Sequence, residues 1–249
     1  MILFSDRTNS RYFRFNLHHK YSFRMNYIFK PETTIKVFIE KLKAELLFVL
    51  PGVDAHLRLA PELRVNDIKT GLTPDHALES AVLIILYLHE SRLHTVVILR
   101  NEYDGAHSGQ ISLPGGKAEK SDIDFEHTAL REAQEEIGII PSSMHIIGQL
   151  SRFYVRPSNF IIYPYIAYCA QRPEFHPDAT EVQRIIEIDI FNEINFEKII
   201  PKTITFKNNI QVIAPGFEVG GEFMWGATAM IFSELILILN NVAEKALNN

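Results

Sequence analysis

Along residues 33–49 the apolar positions are Ile35, Val37, Phe38, Leu42, Leu46 and Phe48, a spacing that predicts an amphipathic helix stopped before Pro51. Residues 52–73 lose that period, and Pro61 and Gly71 mark them as loop. The period then changes. Residues 80–88 and 94–100 are apolar and β-branched, joined by polar residues at 89–92, and predict a hairpin. Residues 101–116 carry Gly105, Gly109, Pro114, Gly115 and Gly116, which predicts loop with a short strand at 111–113.

The clearest helix is expected over residues 125–137, where Phe125, Ala129, Ala133 and Ile137 make one apolar stripe. Asp122 and Asp124 stand where acids favour a helix start, and Gly138 with Pro141 ends it. Strands are expected at 144–155, 160–170, 183–188, 203–206 and 210–213, and a last helix at 227–247. Strands on both sides of a central helix predict an α/β (α+β) fold with a mixed sheet between helices.

Composition narrows the function classes. At 249 residues, 47% hydrophobic and 22% charged, the chain has ample material for a core and is not disordered throughout. A net charge of −5 argues against a polyanion partner, so no nucleic acid is expected. No apolar run reaches the roughly 20 residues of a membrane span. The longest, at 230–239, is interrupted by Ser233 and Glu234, so no membrane is expected either. The single cysteine, Cys169, lies in an apolar stretch and reads as a buried thiol in a reducing, cytoplasmic setting. The first 24 residues hold Arg7, Arg11, Arg14, Lys20 and Arg24 against only Asp6. They read as a disordered tail or an over-extended start, with Met25 opening the domain; a transit peptide is the other reading.

The chemistry concentrates on Arg131-Glu132-Ala133-Gln134-Glu135-Glu136. Glu132, Glu135 and Glu136 are spaced i, i+3, i+4 and share one side of the helix, where like charges repel and oppose the helix dipole. A solvated acidic face is the plain explanation. The alternative is a hard divalent cation, Mg²⁺ or Mn²⁺, which favours carboxylate and phosphate oxygens. Arg131 is placed to hold one of the carboxylates. The turn Leu113-Pro114-Gly115-Gly116-Lys117 ahead of the helix favours the cation, because its backbone can approach a ligand or the helix.

Residues 116–139, GKAEKSDIDFEHTALREAQEEIGI, resemble the Nudix box, G-x5-E-x7-R-E-U-x-E-E-x-G-U with U a bulky apolar residue. The half from Arg131 fits except for the small Ala133. In the front half Gly116 lies one residue too far from Arg131, and Asp122 or Asp124 stands in for the first glutamate. The insertion and PGGK are similar to the coenzyme A diphosphatase branch, as are Arg100, His107-Ser108-Gly109, Ala60-Pro61 with Arg64, and Trp225-Gly226-Ala227-Thr228-Ala229. Gly105 and Asn101 depart from that branch's pattern.

The resemblance implies a Nudix-type α/β/α sandwich with the box as loop–helix–loop, residues 25–249 forming one domain with an N-terminal helical extension. It implies metal held by Glu132, Glu135 and Glu136, catalysis by Arg131, Glu132 and Glu135, and Glu181 as a further ligand or base. Arg100, His107, Gly115 and Gly116 are expected to bind substrate, with Arg100 gripping a phosphate in arginine's fork geometry. The implied reaction is metal-dependent hydrolysis of coenzyme A or an acyl derivative to 4′-phosphopantetheine and adenosine 3′,5′-bisphosphate. ADP-ribose, a dinucleotide or an oxidised nucleotide is the alternative substrate, and a non-catalytic ligand-binding module the alternative class. The implied partner is a small nucleotide-derived molecule, with room for a homodimer. Neutralising Glu135 or Glu136 is expected to hold or raise stability by relieving repulsion.

Overall fold

The two long apolar strands β1 (Leu78–His89) and β2 (Arg92–Arg100) form the expected hairpin. Their turn is Glu90–Ser91, with φ of 50° and 63°, the doubly left-handed turn that matches strand twist. The protein is described from a computed structural model covering Phe29 and residues 33–102, 109–206 and 209–247. The tail at 1–24 and His107 therefore lie outside the described residues.

Around the hairpin a mixed sheet is built in the order β3-β2-β1-β7-β5 from β3 (Ile111–Ser112), β5 (His145–Gln149) and β7 (Phe160–Cys169). Beside these, β4 (Gly115–Lys117) pairs with β1, β6 (Phe153–Val155) with β7, and β8 (Val182–Asp189) with β2. β7 runs parallel to β1, while the other pairings are antiparallel.

Both faces of this sheet are covered. Ala81, Leu83, Ile85 and Tyr87 face α4 (Phe125–Ile137), meeting its Ala129, Ala133 and Ile137. Ile84 and Leu86 face the opposite layer, with Phe38 and Leu42 of α1 (Thr33–Glu45) and Leu235 and Leu239 of α6 (Gly226–Leu247). The result is the expected helix–sheet–helix sandwich. Burial on two faces explains why β1 and β2 read as continuous apolar runs rather than as an alternation.

Several boundaries differ from the sequence expectation, each for a local reason. The stretch 52–73 is not plain loop: it holds α2 (Gly52–His56) and α3 (Val65–Thr70), the latter closed by left-handed Gly71. These helices are too short to display a period, and their order comes from burying Ala55, Leu59 and Ile68. α1 stops at Glu45, where Leu47 and Phe48 bond three residues back instead of four. The expected strand at 144–155 is two strands, because Leu150 N–H bonds Pro164 O and Ser151 N–H turns away to the Glu234 carboxylate. Downstream, β9 (Ile200–Thr205), β10 (Gln211–Val219) and β11 (Glu222–Trp225) make a separate three-stranded antiparallel sheet.

α6 is apolar on nearly all sides. By length and composition its residues 226–245 would cross a membrane, yet 78% of its most apolar window is buried inside the fold. All-round apolarity here reflects a core position.

Candidate functional site

α4 begins where Asp124 caps it, its Oδ1 accepting from His127 N–H at 2.8 Å, and ends at left-handed Gly138. Ala129 and Ala133 are fully buried, so small side chains let the helix lie close on β1. That is the physical use of Ala133 where the pattern asks for a bulky residue. The turn before α4 is laid against β1, with Gly115 opposite Val82 and Gly116 opposite Ala81. A Cβ at Gly115 would collide with the Ala81 carbonyl and the Val82 backbone, and one at Gly116 with the Glu132 carboxylate. Glycine is required at 115 because β4 lies directly on the β1 backbone, and at 116 it leaves room for the carboxylate that Arg131 holds.

Arg131 is the hub of the site. Its Nε and Nη2 donate to the two oxygens of Asp122 at 3.0 and 3.1 Å. Its Nη1 donates to Glu132 at 2.9 Å and Glu135 at 2.8 Å, and Nη2 also reaches Lys117 O at 3.2 Å. Asp122, not Asp124, is thus the acid that fills the gap in the front half of the box. It also accepts from Glu119 N–H and Thr128 Oγ1, and Arg131 foremost among these partners holds it far below the usual carboxylate range. The same contacts raise Arg131 above the ordinary arginine value.

The three glutamates meet different environments. Glu135 is 58% exposed, Glu132 15% and Glu136 1%. Glu136 turns inward, its Oε1 accepting from Arg100 Nη1 at 2.8 Å and its Oε2 from Gly115 N–H at 2.8 Å. Burial pushes the Glu136 carboxyl up to about 7, with Arg100 and the Gly115 amide opposing that rise and Glu132 adding to it. Burial also raises Glu132, helped by the charges of Glu135 and Glu181 and opposed by Arg131.

Without a cation, no three acids, histidines or cysteines among the described residues are already drawn together tightly enough to ligate one. Arg131 draws Glu132 and Glu135 one way, while Arg100 and Gly115 draw Glu136 the other. Arg100, expected to bind a substrate phosphate, places its guanidinium against Glu136 in this ligand-free structure. Besides Glu136 it lies 3.7 Å from Glu181, bridging the helix to the 178–181 loop.

That loop is fixed by backbone contacts. Asp178 N–H bonds Glu136 O, Glu181 N–H bonds Asp178 O, and Asn101 N–H bonds Glu181 O. Asn101 Nδ2 adds a bond to Ala179 O at 2.8 Å. Asn101 and Asp122 are the residues that sequence reasoning undervalued. A polar amide ending a buried strand was the only available sign of the first. Arg100, Asn101, Glu102, Thr180, Glu181 and Gln183 line an open cleft of about 630 Å³, and Glu181 is 53% exposed there.

Four carboxylates, Glu132, Glu135, Glu136 and Glu181, are therefore grouped around two guanidinium groups beside a turn bare of side chains. A hard divalent cation fits this donor set: all the donors are oxygens, negative charge is in excess, and burial already resists ionisation of Glu132 and Glu136.

The NUDIX domain profile matches residues 77–203. The chain is 31% identical over 165 residues to a protein of Pectobacterium atrosepticum described as an uncharacterized Nudix hydrolase NudL, covering 66% of this chain and 83% of that one. It is 32% identical over 142 residues to the NudL of Yersinia enterocolitica, covering 57% and 71%. Among solved structures, a MutT/nudix family protein from Enterococcus faecalis aligns with 79% of this chain and 76% of its own, at 15% identity and a TM-score of 0.43.

Proposed function

Since this chain belongs to the Nudix family, we propose that it hydrolyses the diphosphate of coenzyme A or an acyl derivative, releasing 4′-phosphopantetheine and adenosine 3′,5′-bisphosphate. The observation that carries the hydrolase reading is the Arg131 hub, which gathers Glu132 and Glu135 beside Gly115–Gly116. The coenzyme A reading is supported by the PGGK turn, the extra residue before α4 and the NudL likeness.

Glu132 and Glu135, with Glu136 and Glu181 beside them, would hold Mg²⁺ or Mn²⁺. When bound, the cation supplies charge neutralisation at the diphosphate and a more acidic water. The chain's own residues do the rest. Gly115 and Gly116 let the turn lie close against β1 and Glu132, and Arg131 fixes Glu132 and Glu135 in place. One carboxylate among Glu132, Glu135 and Glu181 takes the proton of the attacking water; Glu135 and Glu181 are the two that face solvent.

The test is a panel of coenzyme A, ADP-ribose, a dinucleoside polyphosphate and an oxidised nucleoside triphosphate, with products separated by chromatography. Coenzyme A is expected to be cut fastest, turnover to vanish with EDTA and to return with Mg²⁺ or Mn²⁺. Faster cleavage of ADP-ribose would discard the coenzyme A reading, and undiminished turnover without metal would discard the mechanism.

Arg100 has a different expected role. Because its charge opposes the burial of Glu136, Arg100→Ala leaves Glu136 protonated to higher pH than the wild type's value near 7. A cation must then displace that proton. Apparent Mn²⁺ affinity at pH 7 is expected to fall about tenfold, with the deficit narrowing by pH 9 as the carboxyl ionises. An equal loss at both pH values would show that Arg100 does not act through Glu136.

A further inference from the structure

Away from the acidic helix, a second basic pair offers a partner for another phosphate. Arg64, at the junction with α3, is only 14% exposed. Its Nη2 makes one long bond to Tyr154 O at 3.3 Å. Its buried Nε lies 3.3 Å from Asp67 Oδ2, outside hydrogen-bond geometry. Arg156, in the turn between β6 and β7, is 73% exposed and touches the same carboxylate through Nη1 at 3.4 Å. Two guanidinium groups thus share one aspartate through long contacts. Burial, and next to it the like charge of Arg156, pushes Arg64 below the ordinary arginine value despite Asp67.

The turn that carries Arg156 is held rigid. Tyr154 Oη donates to Asn159 Oδ1 at 2.9 Å, Asn159 Nδ2 donates to His76 O at 3.2 Å, and Leu78 N–H bonds Asn159 O. Asn159 itself takes φ +56°, so the turn is specified rather than loose. Asp67 offsets only one of the two positive charges, so the pair keeps a net positive charge on a fixed frame, which a second anion complements.

Strand register relates the pair to the candidate site. Tyr154 is opposite Ile161, Ile161 opposite Glu79, and Ala118 N–H bonds Glu79 O. Ala118 follows the Gly115–Lys117 strand, so three strand spacings, about 14 Å, separate Ala118 from the backbone Arg64 touches, and Gly116 lies further along β1, opposite Ala81. A diphosphate standing off the glycine turn and a phosphomonoester standing off the guanidinium groups shorten that path to what a ribose has to bridge.

We infer that Arg64 and Arg156 form an anion subsite that binds a phosphomonoester on the substrate, remote from the diphosphate that is cut. The inference rests on the diphosphatase reading and refines its substrate class: a nucleotide carrying an additional sugar phosphate. Asp67 is a positioning residue that aligns the pair and competes with the incoming anion.

The test titrates the intact protein calorimetrically with adenosine 3′,5′-bisphosphate, adenosine 5′-monophosphate and inorganic phosphate. The bisphosphate is expected to bind about tenfold tighter than the monophosphate, the gain of one charge-assisted contact. Arg156→Ala, at an exposed position, should abolish most of that preference, and Arg64→Gln should do the same. Asp67→Asn should widen it, an effect opposite in sign to simple loss of structure. Equal affinities in the wild type, or a preference untouched by Arg156→Ala, overturns the subsite. Inorganic phosphate displacing the bisphosphate at matched concentration also overturns it, as the mark of a free-anion site. The same variants are then assayed on coenzyme A and dephospho-coenzyme A, where the ratio of kcat/KM should collapse towards one. Selective bisphosphate binding without turnover of coenzyme A upholds the subsite and discards the substrate reading alone.

Discussion

Glu135→Gln is expected to lower kcat by about 10²-fold or more while leaving the unfolding free energy within about 0.5 kcal/mol. The activity loss follows from Glu135 being the most exposed acid on α4, held by Arg131 at 2.8 Å beside the glycine turn. Exposed ion pairs contribute little to stability, so the fold should barely register the change. Single-turnover kinetics with urea unfolding checks both halves. A variant that unfolds easily yet keeps full activity per folded molecule would make Glu135 structural. Relief of repulsion, expected from sequence for Glu135 and Glu136 alike, does not extend to Glu136. Glutamine there offers one acceptor oxygen where Arg100 Nη1 and the Gly115 N–H each bond a separate one. Glu136→Gln is therefore expected to destabilise.

Glu234→Ala carries the largest expected effect on stability, a loss of about 3–5 kcal/mol. Glu234 is fully buried in α6 and joins three segments. Its Oε1 accepts from Gly52 N–H at 2.9 Å and Ser151 Oγ at 2.7 Å; its Oε2 accepts from Ser151 N–H at 3.1 Å and pairs with His56 Nε2 at 3.2 Å. Burial alone would raise the Glu234 carboxyl, but His56, Ser151 and Gly52 together outweigh it and hold the group below its ordinary value. Truncation leaves those partners buried without an acceptor. In a chain of this size the melting temperature should drop by roughly 10 °C. Because the folded value is depressed, this contribution is complete above the ordinary value of 4.5 and is lost as pH falls through the folded one. Thermal unfolding of Glu234→Ala and Ser151→Ala checks the assignment. A loss below about 1 kcal/mol in the first would show that water replaces the carboxylate's role.

The contrast between those two glutamates explains what was legible. Glu135 announced itself because its neighbours in sequence, Arg131, Glu132 and Glu136, are its neighbours on the helix, so spacing alone raised the question of a cation. Glu234 appeared in the sequence only as an interruption of an apolar run. Its meaning depends on His56, which stands 178 positions away. Likewise the i, i+3, i+4 spacing put three carboxylates on one side of α4, but could not tell that Glu136 turns to Arg100, 36 positions back.

Local order, then, was determined by the sequence alone. The α4 boundaries, Asp124 as its cap, Gly138 as its stop and the β1–β2 hairpin all follow from period and turn chemistry acting within a few residues. Tertiary structure decided the rest: that residues 52–73 hold two helices, that Ser151 breaks a strand to serve Glu234, that Asp122 takes up Arg131, and that Arg100 holds Glu136. The physical reason is that a buried charge or amide must find its partner wherever the packed chain brings one. Burial is a property of the assembled layers, and no local pattern encodes which distant group will satisfy it.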